Sequence, residues 1–264
     1  MISALHTAAS GMEAQMSQID SISNNLANVN TTGYKKSRVE FQDLLYETLQ
    51  EPGANTSATS NSPVGIQRGM GVKVSGVQRN FEAGNAQHTS RDLDFMVRGE
   101  GFFMIQMPSG ETAYKKDGSF YKSATGRIET IEGYPLLPET TVAPNIRRVE
   151  VAEDGVMYGL VSDNERTQLG QIQIATFVNN GGLKALGKNM FGATEASGAA
   201  NVTVPNISQG QGNVGSIMQG FLESSNVDVV REMTDMISAQ RAFEMNSKVI
   251  QTVDQILQHT TNIR

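Results

Sequence analysis

Residues 225–264 read SNVDVVREMTDMISAQRAFEMNSKVIQTVDQILQHTTNIR, a stretch without Gly or Pro. Val229, Met236, Phe243, Ile250 and Leu257 recur every seven residues. Met233, Ala239, Val249, Val253 and Ile256 widen the stripe. A heptad repeat keeps one apolar edge turned toward one partner, so the pattern predicts a long helix with a helix–helix seam. Ser225-Asn226-Val227-Asp228 is a capping segment, with an acid three positions after Ser225. At 1.5 Å per residue such a helix runs roughly 50 Å. It cannot bury its stripe against itself, so a partner is required.

The opposite end of the chain supplies a candidate. Leu5, Met12, Ile19 and Leu26 are also spaced by seven, with Ala8, Ala9, Met16, Ile22 and Val29 between them. This predicts a second heptad helix, capped by Ser3, ending near Asn28 to Asn30 and stopped by Gly33. The two helices can pair with each other or with copies from other chains. Their polar faces carry Gln, Ser, Asn and Thr more than Lys and Glu, a surface suited to more protein contact.

Tyr34 to Gln50 has mixed periodicity and fits either a short helix or an extended arm. Pro52 to Pro63 has the composition of a flexible connector. From Val64 to about Phe221 the pattern turns to short strands. Examples are Phe102-Phe103-Met104-Ile105, Val149-Glu150-Val151, Val156-Met157-Tyr158 and Ile172 to Phe177. Ser109-Gly110, Asp117-Gly118, Thr125-Gly126, Glu132-Gly133, Asp154-Gly155 and Asn180-Gly181 punctuate them as hairpin turns. The expected class is α+β: long N- and C-terminal helices paired as a coiled coil, with an antiparallel all-β middle domain. The expected domains are a helical one from 1–32 and 225–264, a connecting arm at 33–80 with an extended or β hairpin, and a β-rich one at 81–224.

Charge and residue content exclude several functions. The net charge is −6, and the one basic cluster, Lys35, Lys36 and Arg38, is short, so nucleic acid is not an expected partner. With no Cys there is neither a disulfide framework nor a thiolate metal site. No apolar run of about 18 residues exists to span a membrane as a helix. The N-terminus shows no basic stretch and no apolar core of a cleaved secretory signal.

Catalytic constellations are missing as well. The three histidines are His6, His88 and His259. His6 and His259 lie near the outer ends of the two helices, so antiparallel pairing would make them near neighbours, but no further metal ligands stand at helical spacing. Gly210 to Gly215 matches G-x-G-x-x-G, but a Pro205-containing loop precedes it and a strand-like segment follows, the wrong context for a dinucleotide. Asp92, Asp94 and Asp117 do not make a convincing acid pair. No catalytic, cofactor or metal site is expected, and an enzyme is disfavoured.

Leu26-Ala27-Asn28-Val29-Asn30-Thr31-Thr32-Gly33-Tyr34-Lys35-Lys36, preceded by Asn24-Asn25, closely resembles the N-terminal signature of bacterial flagellar rod and hook proteins. Similar matches run through the chain. They include Gly69-Met70-Gly71-Val72, Gly99-Glu100-Gly101-Phe102-Phe103, Tyr114 to Phe120, Gln219 to Glu223, Ser225 to Asp228 and Gln240 to Asn246. Phe95-Met96-Val97 and Lys115-Lys116 depart from the usual pattern. The length leaves no room for the additional outer domain of hook proteins, so the distal rod branch is the nearest fit and a proximal rod subunit the alternative.

The resemblance implies an inner coiled-coil domain of terminal helices, outer β domains, and copies stacked helically into a hollow shaft in the flagellar basal body. It implies export through the flagellar type III apparatus. The implied partners are further copies, proximal rod and hook subunits, and the surrounding periplasmic and outer-membrane rings. It also makes the segment from Pro52 to Val74 a subunit contact. The self-assembly seam is expected at Leu5, Met12, Ile19, Leu26, Val229, Met236, Phe243, Ile250 and Leu257. The family motif is Asn24, Asn25, Leu26, Ala27, Asn28, Thr31, Gly33, Tyr34 and Lys35.

Overall fold

The computed structural model describes residues 2–52, 55–57, 60–61, 64–162, 165–205 and 215–262. A helix stands at each end of the chain, with a mostly antiparallel β region between them. The chain forms two compact units, one of Met1–Ala27, Ser37–Arg79 and Asp228–Arg264, the other of Asn28–Lys36 and Asn80–Val227.

The helical unit contains α1 (Ile2–Ala27) and α2 (Val229–Asn262). Ser3 lies inside the first turn of α1, where its carbonyl accepts from Thr7 Oγ1, so it is not the cap. The cap of α2 is Asp228. Its Oδ1 accepts from the backbone N–H of Val230 (3.0 Å) and Arg231 (3.3 Å), two of the donors that a helix start leaves open. Ser225 makes only a local bond, accepting from Val227 N at 3.3 Å. A carboxylate suits this position better than a hydroxyl because it also meets the positive end of the helix dipole.

Tyr34 to Gln50 resolves as extended chain. Ser37–Asp43 pairs antiparallel with Val72–Arg79, with a bulge at Glu40/Phe41, and Tyr46–Gln50 pairs with Ile66–Gly69. Within the Pro52–Pro63 connector, Asn55–Ser57 pairs with Ser60–Asn61. The rest of that connector after Pro52 lies outside the described residues, as do positions 206–214, which hold most of the G-x-G-x-x-G match.

In the β-rich unit, Phe102–Gln106 is the central strand. It pairs with Thr112–Lys115, Ile174–Thr176 and Leu136–Leu137, all antiparallel. Its apolar run is buried on both faces. Phe103 and Ile105 join a core with Phe95, Phe120, Ile172 and Ile217, while Phe102 and Met104 join one with Tyr114, Phe177 and Phe191. Alternate residues of a strand point to opposite faces, so an unbroken apolar run marks a strand covered on both sides. A second sheet holds Arg148–Val151, Val156–Ser162 and Glu165–Gln171.

The turn signals divide. Asp154-Gly155 is a hairpin turn: Gly155 has φ +79° and Asp154 Oδ1 accepts from Val156 N. Asp117-Gly118 is not a hairpin tip. Gly118 lies where its carbonyl takes a bond from Phe95 N at 3.0 Å, and a Cβ there would stand 1.7 Å from Phe95 O. Asn180–Gly182 is a single 3-10 turn.

Candidate assembly surfaces

The helices of the first unit run antiparallel against each other. Asn25 Nδ2, near the end of α1, donates to Glu232 Oε2, near the start of α2, at 3.1 Å. A Cβ on Gly11 would lie 2.9 Å from Asn246 Nδ2. In both contacts the residue numbers add to 257, which fixes the register. Gln251, and not His259, therefore faces His6, so the two histidines are not brought together.

This register buries the α2 heptad only in part. Met236 and Ile250 are half-buried, whereas Val229, Phe243 and Leu257 are exposed at 36–38%. The fully buried α2 positions are Glu232 and Ala239, which belong to the complementary heptad row with Asn246 and Val253. On α1 the buried residues are Ala8, Ala14, Ile22 and Asn25; Leu5, Met12, Ile19 and Leu26 are half-buried beside them. Small and polar residues thus hold the middle of the contact. Hydrophobic spacing does not find Glu232, Asn246 or Asn25, because polar residues carry no apolar signal.

Asn25 is the best-connected of these. Its Nδ2 donates to Ser37 O (2.9 Å) as well as Glu232, and its Oδ1 accepts from Ser37 N (2.9 Å) and Ser37 Oγ (3.2 Å). Ser21 Oγ also reaches Ser37, and Ser10 Oγ accepts from Val72 N at 3.4 Å. One face of α1 is thereby fastened along the hairpin of Ser37–Asp43 and Val72–Arg79.

The remaining motif residues belong to the β-rich unit, except that Asn24, Leu26 and Ala27 close α1. Asn28 O accepts from Thr31 N and Asn28 Oδ1 from Thr31 Oγ1. Gly33 sits at φ +66°, donating to Glu223 O at 2.8 Å. Tyr34 is buried. Lys35 is 1% exposed and ties Glu223 Oε1 and Glu82 O, each at 2.6 Å. Glu223 Oε1 also accepts from Gly84 N at 2.8 Å. Asn226 completes the arrangement: its Oδ1 accepts from Lys36 N, and its Nδ2 donates to Asn80 O and Glu82 O.

Lys116, buried nearby in this unit, donates to Gly99 O and Gly101 O at 2.9 Å each. Burial pushes its ammonium down to about 8; the Glu223 carboxylate opposes that shift and the Lys35 charge adds to it. The three aspartates weighed as an acid pair each face a cation instead. Asp117 pairs with Lys115 at 3.1 Å, Asp94 with Arg91 at 3.5 Å and Asp92 with Arg148 at 3.4 Å.

Two apolar surfaces of the helical unit stay open. On α2, Val230 (75% exposed), Met233, Ile237 and Met245 lie away from the row occupied by Glu232 and Ala239. In the Tyr46–Gln50/Ile66–Gly69 ladder, Tyr46, Leu49 and Ile66 are exposed, beside Leu45 (88%) and Val64. An isolated two-stranded ladder is marginal in water, so these surfaces call for further covering.

Three family profiles match in chain order. One described as "Flagella basal body rod protein" covers residues 5–35, "Flagellar hook protein FlgE/F/G D1 domain" covers 96–159, and "Flagellar basal body rod FlgEFG protein C-terminal" covers 218–263. The chain is 45% identical over 263 residues, 99% of each chain, to the "Flagellar basal-body rod protein FlgG" of Caulobacter vibrioides. It is 42% identical to the protein of that name from Borreliella burgdorferi over 267 residues, 100% of this chain and 99% of the relative. It is 40% identical, over the whole of both chains, to that of Buchnera aphidicola subsp. Acyrthosiphon pisum. These relatives are structural rod proteins and not enzymes. With full-length relatives at this identity and profile matches at both ends and in the middle, the chain belongs to the flagellar basal-body rod protein family.

Proposed function

We propose that the protein is a structural subunit of the distal rod, polymerising helically into the hollow shaft that passes motor torque to the hook. The observation that carries this reading is the second apolar stripe of α2. Val230, Met233 and Ile237 are exposed although α1 already packs on the same helix. A helix apolar on two sides needs neighbours on both. Copies that contact through unlike surfaces add without closing, which gives an open helical polymer.

In this proposal α1 and α2 act as a coiled coil. Leu5, Met12, Ile19, Leu26, Val229, Met236, Phe243, Ile250 and Leu257 complete their burial between copies. Residues 1–32 and 225–264 serve as the helical packing domain, 33–80 as the arm that contacts neighbours, and 81–224 as the β-rich domain. The partners are further copies, proximal rod and hook subunits, the rings around the rod, and the type III export apparatus. The full-length match to proteins named FlgG supports the distal position.

Electron microscopy of concentrated protein, alone and on a rod template, tests the proposal. Rods or tubes are expected, and their absence under both conditions would refute it. Phe243→Asp is expected to abolish assembly while circular dichroism shows the β-rich unit still folded. Filaments of normal length from that variant would sink the seam argument.

A further inference from the structure

The β-rich unit carries a cleft lined by several cations. It is a cavity of about 310 Å³ whose rim brings together Arg91, Lys122, Arg147 and Arg148, with Asp92 as the one carboxylate. Four cations in one cleft, with only Asp92 and Asp94 as facing carboxylates, stand out in a chain of net charge −6.

The four differ in how they are held. Arg148 faces Asp92 at 3.4 Å. Arg91 lies over the Tyr121 ring at 4.2 Å, donates to Phe120 O at 2.8 Å and faces Asp94 at 3.5 Å. Stacking and hydrogen bonding fix its guanidinium plane before any ligand arrives. Lys122 meets only a carbonyl, Ala143 O at 3.4 Å, and neither it nor Arg147 has a carboxylate within 4 Å among the described residues. The cleft therefore combines two guanidiniums that each face a carboxylate, one of them also stacked on a half-exposed tyrosine, with two cations that face none.

We propose that this cleft docks an acidic peptide segment presented by another protein chain. Carboxylates match a guanidinium fork in two-pronged geometry, and clustered arginines are a general means of reading acidic motifs. The peptide class is favoured over a small anion because the cleft, of about 310 Å³, offers four cations, more positive charge than one small anion balances. Concave surfaces lined by one sign of charge also steer an oppositely charged segment into place.

The test uses the full chain with a fluorescein-labelled hexaglutamate peptide, read by fluorescence anisotropy, beside a hexaglutamine control. Saturable binding of the glutamate peptide alone is expected, weakening at least about tenfold in about 0.5 M NaCl as charge is screened. Lys122→Glu combined with Arg147→Glu is expected to lose a similar factor or more. Both side chains are exposed, and circular dichroism checks that the fold is kept. Equal binding by the double variant, equal binding of the glutamine peptide, or no saturable binding would overturn the proposal. So would binding of an anionic oligogalacturonate without the peptide. Assembly into rods does not enter this readout, so failure here and failure of the shaft reading are separable.

Discussion

Gly33 shows how one residue of the family motif is set by its surroundings. Its φ of +66° is a conformation that side chains other than glycine's rarely adopt, and a Cβ would stand 2.6 Å from Asp117 N. Both the backbone strain and the clash fall on Gly33→Ala. The variant is expected to lose about 2–4 kcal/mol in urea unfolding followed by circular dichroism. A loss below about 0.5 kcal/mol would mean that the neighbouring backbone moves aside freely.

Lys116 makes a prediction of a different kind. Its folded pKa is about 8 against 10.5 when free, so between those values the unfolded chain binds more protons than the folded one. Stability from this residue therefore rises as pH rises from 8 to 10.5, and below 8 the cost of the buried charge is fully present. Urea unfolding at pH 7 and pH 10 is expected to show wild type gaining more than Lys116→Met, by at most about 3 kcal/mol. Equal gains would show that the buried ammonium does not titrate in this window. Neither Gly33 nor Lys116 reveals its role by type: the motif placed Gly33, but only the packed unit shows Asp117 against it.

At the scale of elements, the repeats of both helices were legible because residues seven apart must share a helix face. Their partners were less so. The Asn25–Glu232 bond puts polar groups in the contact, and Ala8 and Gly11 make it narrow. Such residues are chosen by close approach and hydrogen bonding, which leave no hydrophobic period. The segment Tyr34 to Gln50 was ambiguous for another reason. Its strands are defined by pairing with Val72–Arg79 and Ile66–Gly69, residues distant in sequence. The open stripe of α2 yields a direct expectation. Ile237→Asp should leave monomer stability within about 0.5 kcal/mol, since the side chain is half in water already. In sedimentation velocity the same variant should fail to self-associate. Association at the wild-type concentration would show that this stripe is not a contact.

At the scale of the whole molecule, the two units have unequal means of staying folded. The β-rich unit buries Phe95, Phe103, Ile105 and Phe120 completely, while the helical unit exposes much of its apolar surface. Local stability follows buried apolar contact, so amide exchange in the monomer should be slowest on Phe102–Gln106 and fast along the last turns of α2. Polymerisation should then slow exchange in α2 far more than in the strands. Uniform protection of both units in the monomer would contradict the idea that α2 waits for neighbours.

The sequence alone determined that two heptad helices flank a region of short strands, that no cysteine chemistry is present, and that the chain resembles rod and hook proteins. These are local or compositional properties: periodicity, turn residues and motif identity survive without coordinates. The tertiary structure alone decided that Asp228 caps α2, that the helices meet in an antiparallel register summing to 257, and that Lys35 and Lys116 are buried near one glutamate. It alone gathered Arg91, Lys122, Arg147 and Arg148 around one cleft. Each of these depends on residues far apart in the chain meeting in space. For the opening helix, spacing specified which edge is apolar, and packing decided which part of that edge α1 covers and which part is left for other chains.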